Sequence, residues 1–133
     1  MSRPILFVED DDPLRTTIAR HLRLRGYDVE EAETAEAARD LLRDGLEPSL
    51  VLLDLNLPGD TGWKLVREPP LSEADAPPVV IVSAIPVSHR QLREHRVTGY
   101  LPKPFRLETL VATVERLLHE PDPTHREDPE ALR

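Results

Sequence analysis

Ser49-Leu50-Val51-Leu52-Leu53-Asp54-Leu55-Asn56-Leu57-Pro58-Gly59 is the stretch whose reading decides the fold. A leucine–valine run without polar alternation reads as a strand buried on both faces, which belongs in a parallel sheet covered by helices. Pro58-Gly59 marks a turn out of the sheet. Asp54 then stands at the carboxyl end of a central strand, the edge where open α/β sheets gather ligands and chemistry.

Working outward, strand and helix patterns alternate. Pro4 to Val8 reads as a first strand, followed by the acidic run Glu9-Asp10-Asp11-Asp12 and by Pro13. Asp12 is expected as the N-cap, with Pro13 as the first helical residue. Leu14, Ile18, Ala19 and Leu22 recur at helical spacing, and Gly26 suits the stop. Tyr27 to Ala32 is a weaker, more polar strand, expected at an edge. Thr34 is the expected cap of a second helix carrying Ala37, Ala38, Leu41 and Leu42, with Gly45 as its stop. Gly62 to Val66 begins a third helix that Pro69-Pro70 cuts short. Val79 to Ala84 reads as another buried strand. His89 to Arg96 is a weakly apolar fourth helix, and Gly99-Tyr100-Leu101 a short fifth strand. Leu107, Leu110, Val111, Val114, Leu117 and Leu118 form the clearest amphipathic helix. From Glu120 the chain is polar and proline-rich, so we divide it into a domain over 1–119 and a tail or linker over 120–133. Strands alternating with helices imply a doubly wound, mainly parallel sheet with helices on both faces, and nothing suggests a repeat or a second domain.

Composition narrows the function. The 133 residues suffice for one core. The formal charge of -8 disfavours nonspecific binding to nucleic acid or anionic membrane. Without cysteine there is no disulfide or thiolate metal site. No apolar stretch approaches the roughly 18 residues of a membrane span, and no signal-peptide pattern is present, so a cytoplasmic location is expected.

Four polar sites fall at strand ends: Glu9 and Asp10, Asp54, Ser83 and Lys103. Clustered carboxylates repel one another, and a hard divalent cation such as Mg²⁺ relieves that repulsion. Aspartate can act as a nucleophile toward phosphorus. An ammonium and a hydroxyl could then hold phosphoryl oxygens. Each residue has a plainer reading: helix-start acids, a strand-end hydroxyl, a surface lysine, a turn aspartate. Their joint placement, all at strand ends, favours a site.

Ile5-Leu6-Phe7-Val8-Glu9-Asp10-Asp11, Leu52-Leu53-Asp54-Leu55-Asn56-Leu57-Pro58-Gly59, Val82-Ser83-Ala84 and Tyr100-Leu101-Pro102-Lys103-Pro104-Phe105 together resemble the CheY-like receiver domain of two-component response regulators. The resemblance covers about residues 4–119. It implies a flavodoxin-like five-stranded parallel sheet of order 2-1-3-4-5. It also implies that Asp54 is the phosphoacceptor, that Glu9 and Asp10 bind Mg²⁺ with Asp54, and that the Asn56 backbone carbonyl completes the protein ligands. Ser83 is the implied hydroxyl that turns toward the phosphoryl group, Lys103 the family's lysine, Lys103-Pro104 a cis peptide, and Tyr100 the aromatic coupled to activation. Asp10 with Asp11 is the other possible metal pair. Glu9 with Asp10 is preferred, because Glu9 directly follows Val8 and the distance to Arg15 fits the family's spacing.

The chain departs from the pattern in three places. Its third helix is short, and the segment from Ser83 to Lys103 is about two residues shorter than usual. The fourth helix carries His89, Arg90, Arg93, His95 and Arg96, read as a solvated basic face or else as a partner surface. Pro102 removes a backbone donor, so strand five is expected to be frayed or at the edge. Ile85 occupies a position that in the family influences water access to the phosphoryl group. Trp63 reads as a packing residue, and the five histidines lack metal spacing.

The resemblance implies a phosphorylation switch with only its own phosphorylation and dephosphorylation chemistry, and not a metabolic enzyme. The expected phosphodonor is a histidine kinase or histidine phosphotransfer protein. A downstream protein target is expected, and a homodimer is possible. The chain reads equally as a stand-alone regulator or as a receiver from a longer protein. A pseudo-receiver that is never phosphorylated is the alternative. A phosphohydrolase with an Asp nucleophile ranks lower, because Asn56 replaces the second aspartate such enzymes use as general acid, and no cap domain is seen.

Overall fold

The computed structural model describes residues 3–59 and 61–119; the expected tail over 120–133 lies outside the described residues. In chain order the elements are β1 (Ile5–Val8), α1 (Asp12–Leu24), β2 (Val29–Ala32), α2 (Ala35–Arg43), β3 (Leu50–Leu53), α3 (Gly62–Val66), β4 (Val79–Ser83), α4 (His89–Glu94), β5 (Gly99–Pro102) and α5 (Leu107–Leu118). The strands form one parallel sheet of order β2-β1-β3-β4-β5. The expected fold class and strand order are therefore the observed ones.

β1, β3 and β4 are buried throughout, and their alternate side chains feed two cores. Leu6, Val8, Val51, Leu53, Val79 and Ile81 pack with Ala38 and Leu42 of α2 and with Leu65 and Val66 of α3. Ile5, Phe7, Leu50, Leu52, Val80 and Val82 pack with Ile18 and Leu22 of α1 and with Leu110, Val111 and Val114 of α5. With so few aromatics, branched aliphatics fill both layers, and Phe7 is the largest fully buried side chain.

Local chemistry sets most boundaries. Thr34 Oγ1 accepts from the Ala37 N–H, which makes it the cap of α2 as read. Gly26 and Gly45 follow their helices with φ of 96° and 103°, conformations that favour glycine. The α1 cap differs from expectation. It is Asp11, whose Oδ1 accepts from the Leu14 N–H, and Asp12 is already helical. Any acid in a run of four can cap, and the pairing of Asp12 with Arg15 decides between them.

α4 is short, as its sequence suggests. A capping box between Ser88 and Gln91 closes its start, and none of its residues is buried. β5 is an edge strand that tolerates Pro102. Pairing continues past the proline, because the Lys103 N–H donates to the Ser83 carbonyl at 3.0 Å. The strand end is thus at the edge and is not frayed.

Candidate functional site

The parallel register brings the polar strand ends together. Val8 pairs with Leu53, so Glu9 and Asp54 leave the sheet side by side. Backbone bonding continues beyond both strands: the Asp54 N–H donates to the Val8 carbonyl at 3.0 Å and the Glu9 N–H to the Ala32 carbonyl at 2.9 Å. The two carboxylates are therefore held by the sheet itself. Both residues are buried, whereas Asp10 is exposed.

The acidic run is sorted by partner. Asp11 caps α1 and Asp12 pairs with Arg15. Glu9 and Asp10 remain, and with Asp54 they present carboxylate oxygens all within 4.8 Å of one another. The carboxylates that lie beside Asp54 are thus those of Glu9 and Asp10.

Lys103, just past β5, reaches into the same pocket. Its Nζ lies 2.7 Å from Glu9 Oε1 and 3.1 Å from Asp54 Oδ2. The other Asp54 oxygen accepts from the Asn56 N–H at 3.0 Å, so the loop after β3 is tied to the carboxylate it carries. Lys103-Pro104 is cis, as the resemblance implies.

Burial dominates the electrostatics. It raises the Glu9 carboxyl from 4.5 to about 7; the Lys103 ammonium pulls the value back and the Asp54 charge adds to the rise. Burial also works against the Lys103 charge, yet the ion pair with Glu9 and the hydrogen bond to Asp54 hold the ammonium above 10.5. Glu9 Oε1 is buried with an ion-pair partner but no directed hydrogen bond. A buried, charge-crowded carboxylate oxygen beside two further carboxylates is a donor set suited to a small hard dication.

Ser83 and Tyr100 are linked through one residue, Ile85. Ser83 is buried, and its Oγ accepts from the Ile85 N–H at 3.2 Å. The Tyr100 hydroxyl donates to the Ile85 carbonyl at 3.1 Å. The structure thus unites Glu9, Asp10, Asp54 and Lys103 directly, while Ser83 at the end of β4 and Tyr100 on β5 both bond to Ile85 in the loop leading to α4.

A family model for the response regulator receiver domain matches residues 5–115. The chain belongs to that family. This receiver domain is 35% identical over 129 residues to the response regulator MprA of Mycobacterium sp. (strain KMS), a match covering 96% of the chain and 56% of the relative. The chain spans little more than half the length of the curated relatives it matches. Among solved structures, the non-phosphorylated HemR receiver domain from Leptospira biflexa is similar with a TM-score of 0.80 at 33% identity, covering 92% of this chain and 98% of that one. Response regulator TrrA from Thermotoga maritima, solved in complex with Mg(2+)-BeF, has a TM-score of 0.72 at 25% identity, covering 88% of this chain and 100% of that one.

Two residues of the receiver domain's site escape a reading of the sequence alone. Gly62 registers there only as the start of α3, yet a Cβ on it would lie 2.6 Å from the Asp54 carbonyl oxygen. Arg15 registers only as a spacing mark, yet it bonds to the Glu9 carbonyl at 2.8 Å. A glycine at a helix start and a cation in a first helical turn, against the dipole, are the signals that hint at them. Trp63, read as a packing residue, stacks on His95 with ring centroids 4.3 Å apart. Among the described residues no helix is long and apolar enough to cross a membrane.

Proposed function

We propose that this receiver domain is a phosphorylation switch in which Asp54 accepts a phosphoryl group from a histidine kinase or histidine phosphotransfer protein, with Mg²⁺ in the acidic pocket. The observation that carries the reading is Lys103 Nζ lying between Asp54 and Glu9, at 3.1 and 2.7 Å. A buried carboxylate next to an ammonium, with two further acids within 4.8 Å, suits attack on phosphorus better than a structural ion pair would require. An Asp54 oxygen forms the new P–O bond while the P–N bond of phosphohistidine breaks, its electron pair leaving with the imidazole. Lys103 follows the phosphoryl oxygens, and the Ser83 hydroxyl turns from the Ile85 N–H toward them.

Glu9, Asp10, Asp54 and the Asn56 carbonyl would hold the Mg²⁺, which when bound supplies positive charge to the phosphoryl oxygens. The Mg(2+)-BeF complex of the Thermotoga maritima neighbour supports a divalent cation here. Movement of Ser83 would release the N–H of Ile85, the residue whose carbonyl Tyr100 holds, biasing the β4–α4 loop and the surface read by a downstream protein. A histidine kinase donor goes with a cytoplasmic setting.

Glu9 ties the site to pH. With its carboxyl lifted from 4.5 to about 7, the folded metal-free chain holds this proton more tightly than the unfolded chain. The stability so contributed is full below about pH 4.5 and is lost as pH rises through about 7. Mg²⁺ affinity runs the opposite way, because a ligand must be ionised. Calorimetric titrations should show affinity level above about pH 7.5 and falling roughly tenfold per unit below about pH 6.5. A flat profile would remove Glu9 from the ligand set.

The switch is tested by offering acetyl phosphate and, separately, a phosphate monoester in Mg²⁺. The expected result is labelling of a single site per chain and no sustained ester turnover. Turnover of the monoester would favour a phosphohydrolase, and absence of any labelling the pseudo-receiver.

A further inference from the structure

Arg15 lies in the first turn of α1, where a cation opposes the helix dipole. Helix formation therefore does not explain it. Its side chain is only 12% exposed, and its guanidinium is spent in three directions. Nη1 donates to the Glu9 carbonyl at 2.8 Å, Nη2 lies 2.6 Å from Asp12 Oδ1, and Nε donates to Glu31 Oε1 at 3.1 Å. Glu31, on β2, is also held by Arg23 at 2.9 Å. One guanidinium thus joins α1, β2 and the loop leaving β1.

The Glu9 carbonyl belongs to the peptide that links Glu9 to Asp10. Fixing that plane sets the directions in which the two carboxylates leave the backbone. The ion pair with Asp12 also draws the fourth acid of the run away from the pocket, while Asp11 is occupied as the helix cap. From the run Glu9 to Asp12, only Glu9 and Asp10 remain to meet Asp54.

We propose that Arg15 is a positioning residue for the acidic pocket, acting through the Glu9–Asp10 peptide and not through its charge. The inference rests on the divalent-cation reading above, and it makes a prediction opposite in sign to simple electrostatics. Removing a cation near an acidic pocket should, by Coulomb's law alone, tighten the binding of another cation. Loss of positioning should weaken it, by roughly 10- to 100-fold on the scale seen when the partners that orient metal ligands are removed.

The experiment is calorimetric titration of Mg²⁺ into wild type, Arg15→Ala, Arg15→Lys and Arg23→Ala, with urea unfolding of each. Arg23→Ala breaks a neighbouring pair to Glu31 without touching the Glu9 carbonyl, so it reports ordinary destabilisation. The expected result is weakened Mg²⁺ binding in Arg15→Ala, at most partial rescue by Arg15→Lys, and wild-type affinity in Arg23→Ala. Unchanged or tighter binding in folded Arg15→Ala overturns the role of Arg15 while leaving the cation site intact. Equal weakening in Arg23→Ala also overturns it, by making the effect one of general stability. If wild type itself binds no Mg²⁺, the cation reading falls and this inference with it.

Discussion

Replacing Lys103 with methionine is expected to slow phosphoryl transfer to Asp54 by about 10²–10³-fold, the usual effect of deleting one preorganised donor to developing charge. Lys103 sits within 3.1 Å of both Glu9 and Asp54, so the same change also removes the positive charge that offsets two buried carboxylates. The unpaired acids then repel one another, and Glu9 is pushed further above its already raised value. At a pH high enough to keep Glu9 ionised, a dication answers that repulsion, so Mg²⁺ affinity should rise while transfer falls. The two measurements move in opposite directions: stopped-flow phosphorylation from a small phosphodonor slows, and calorimetric Mg²⁺ binding tightens. If both weaken together, Lys103 would be holding the pocket's shape and not the phosphoryl group.

Gly62→Ala is expected to cost about 1–3 kcal/mol, the range for forcing a methyl into a packed site. Helix propensity alone predicts the reverse, since alanine is up to roughly 1 kcal/mol better than glycine within a helix. Packing decides the sign. The added Cβ would meet the Asp54 carbonyl oxygen at 2.6 Å, the Leu55 Cα at 3.1 Å and the Leu53 Cγ at 3.2 Å. The first two are backbone atoms, and the Gly62 N–H already donates to the Leu55 carbonyl, so the contact cannot be relieved by a rotamer change. The end of β3 must shift, and Asp54 with it. Urea midpoints should fall, and phosphoryl incorporation should fall in protein still folded. An alanine variant as stable and as readily phosphorylated as wild type would contradict this packing.

These two residues show where the sequence was legible and where it was not. Lys103 was readable because it follows a strand and precedes a proline, and because its chemistry complements Asp54. The carboxyl ends of parallel strands share one edge of the sheet, so periodicity puts such residues on that edge, and the resemblance supplies the strand order that brings Lys103 towards Asp54. Gly62 was readable as a helix start, but what its missing side chain would strike is a tertiary fact. The N-cap of α1 was misplaced by one residue because Asp11 and Asp12 have equal capping chemistry; only the ion pair of Asp12 with Arg15 separates them. The α4 segment gave a weak signal for a physical reason. It buries none of its residues, so no apolar spacing was needed, and its capping box and the Trp63–His95 stack help to hold it instead. Ser83, Ile85 and Tyr100 are legible as three separate residues, but the backbone of Ile85 that joins the other two is a tertiary fact.

The most direct test of the phosphoacceptor assignment is the intact mass of the protein after incubation with acetyl phosphate and Mg²⁺. The account predicts a single added phosphoryl group of about 80 Da, labile to base, that is absent from Asp54→Asn and absent when a chelator removes the cation. Persistence of the adduct in folded Asp54→Asn, or no adduct on wild type under conditions that label another receiver domain, would contradict it.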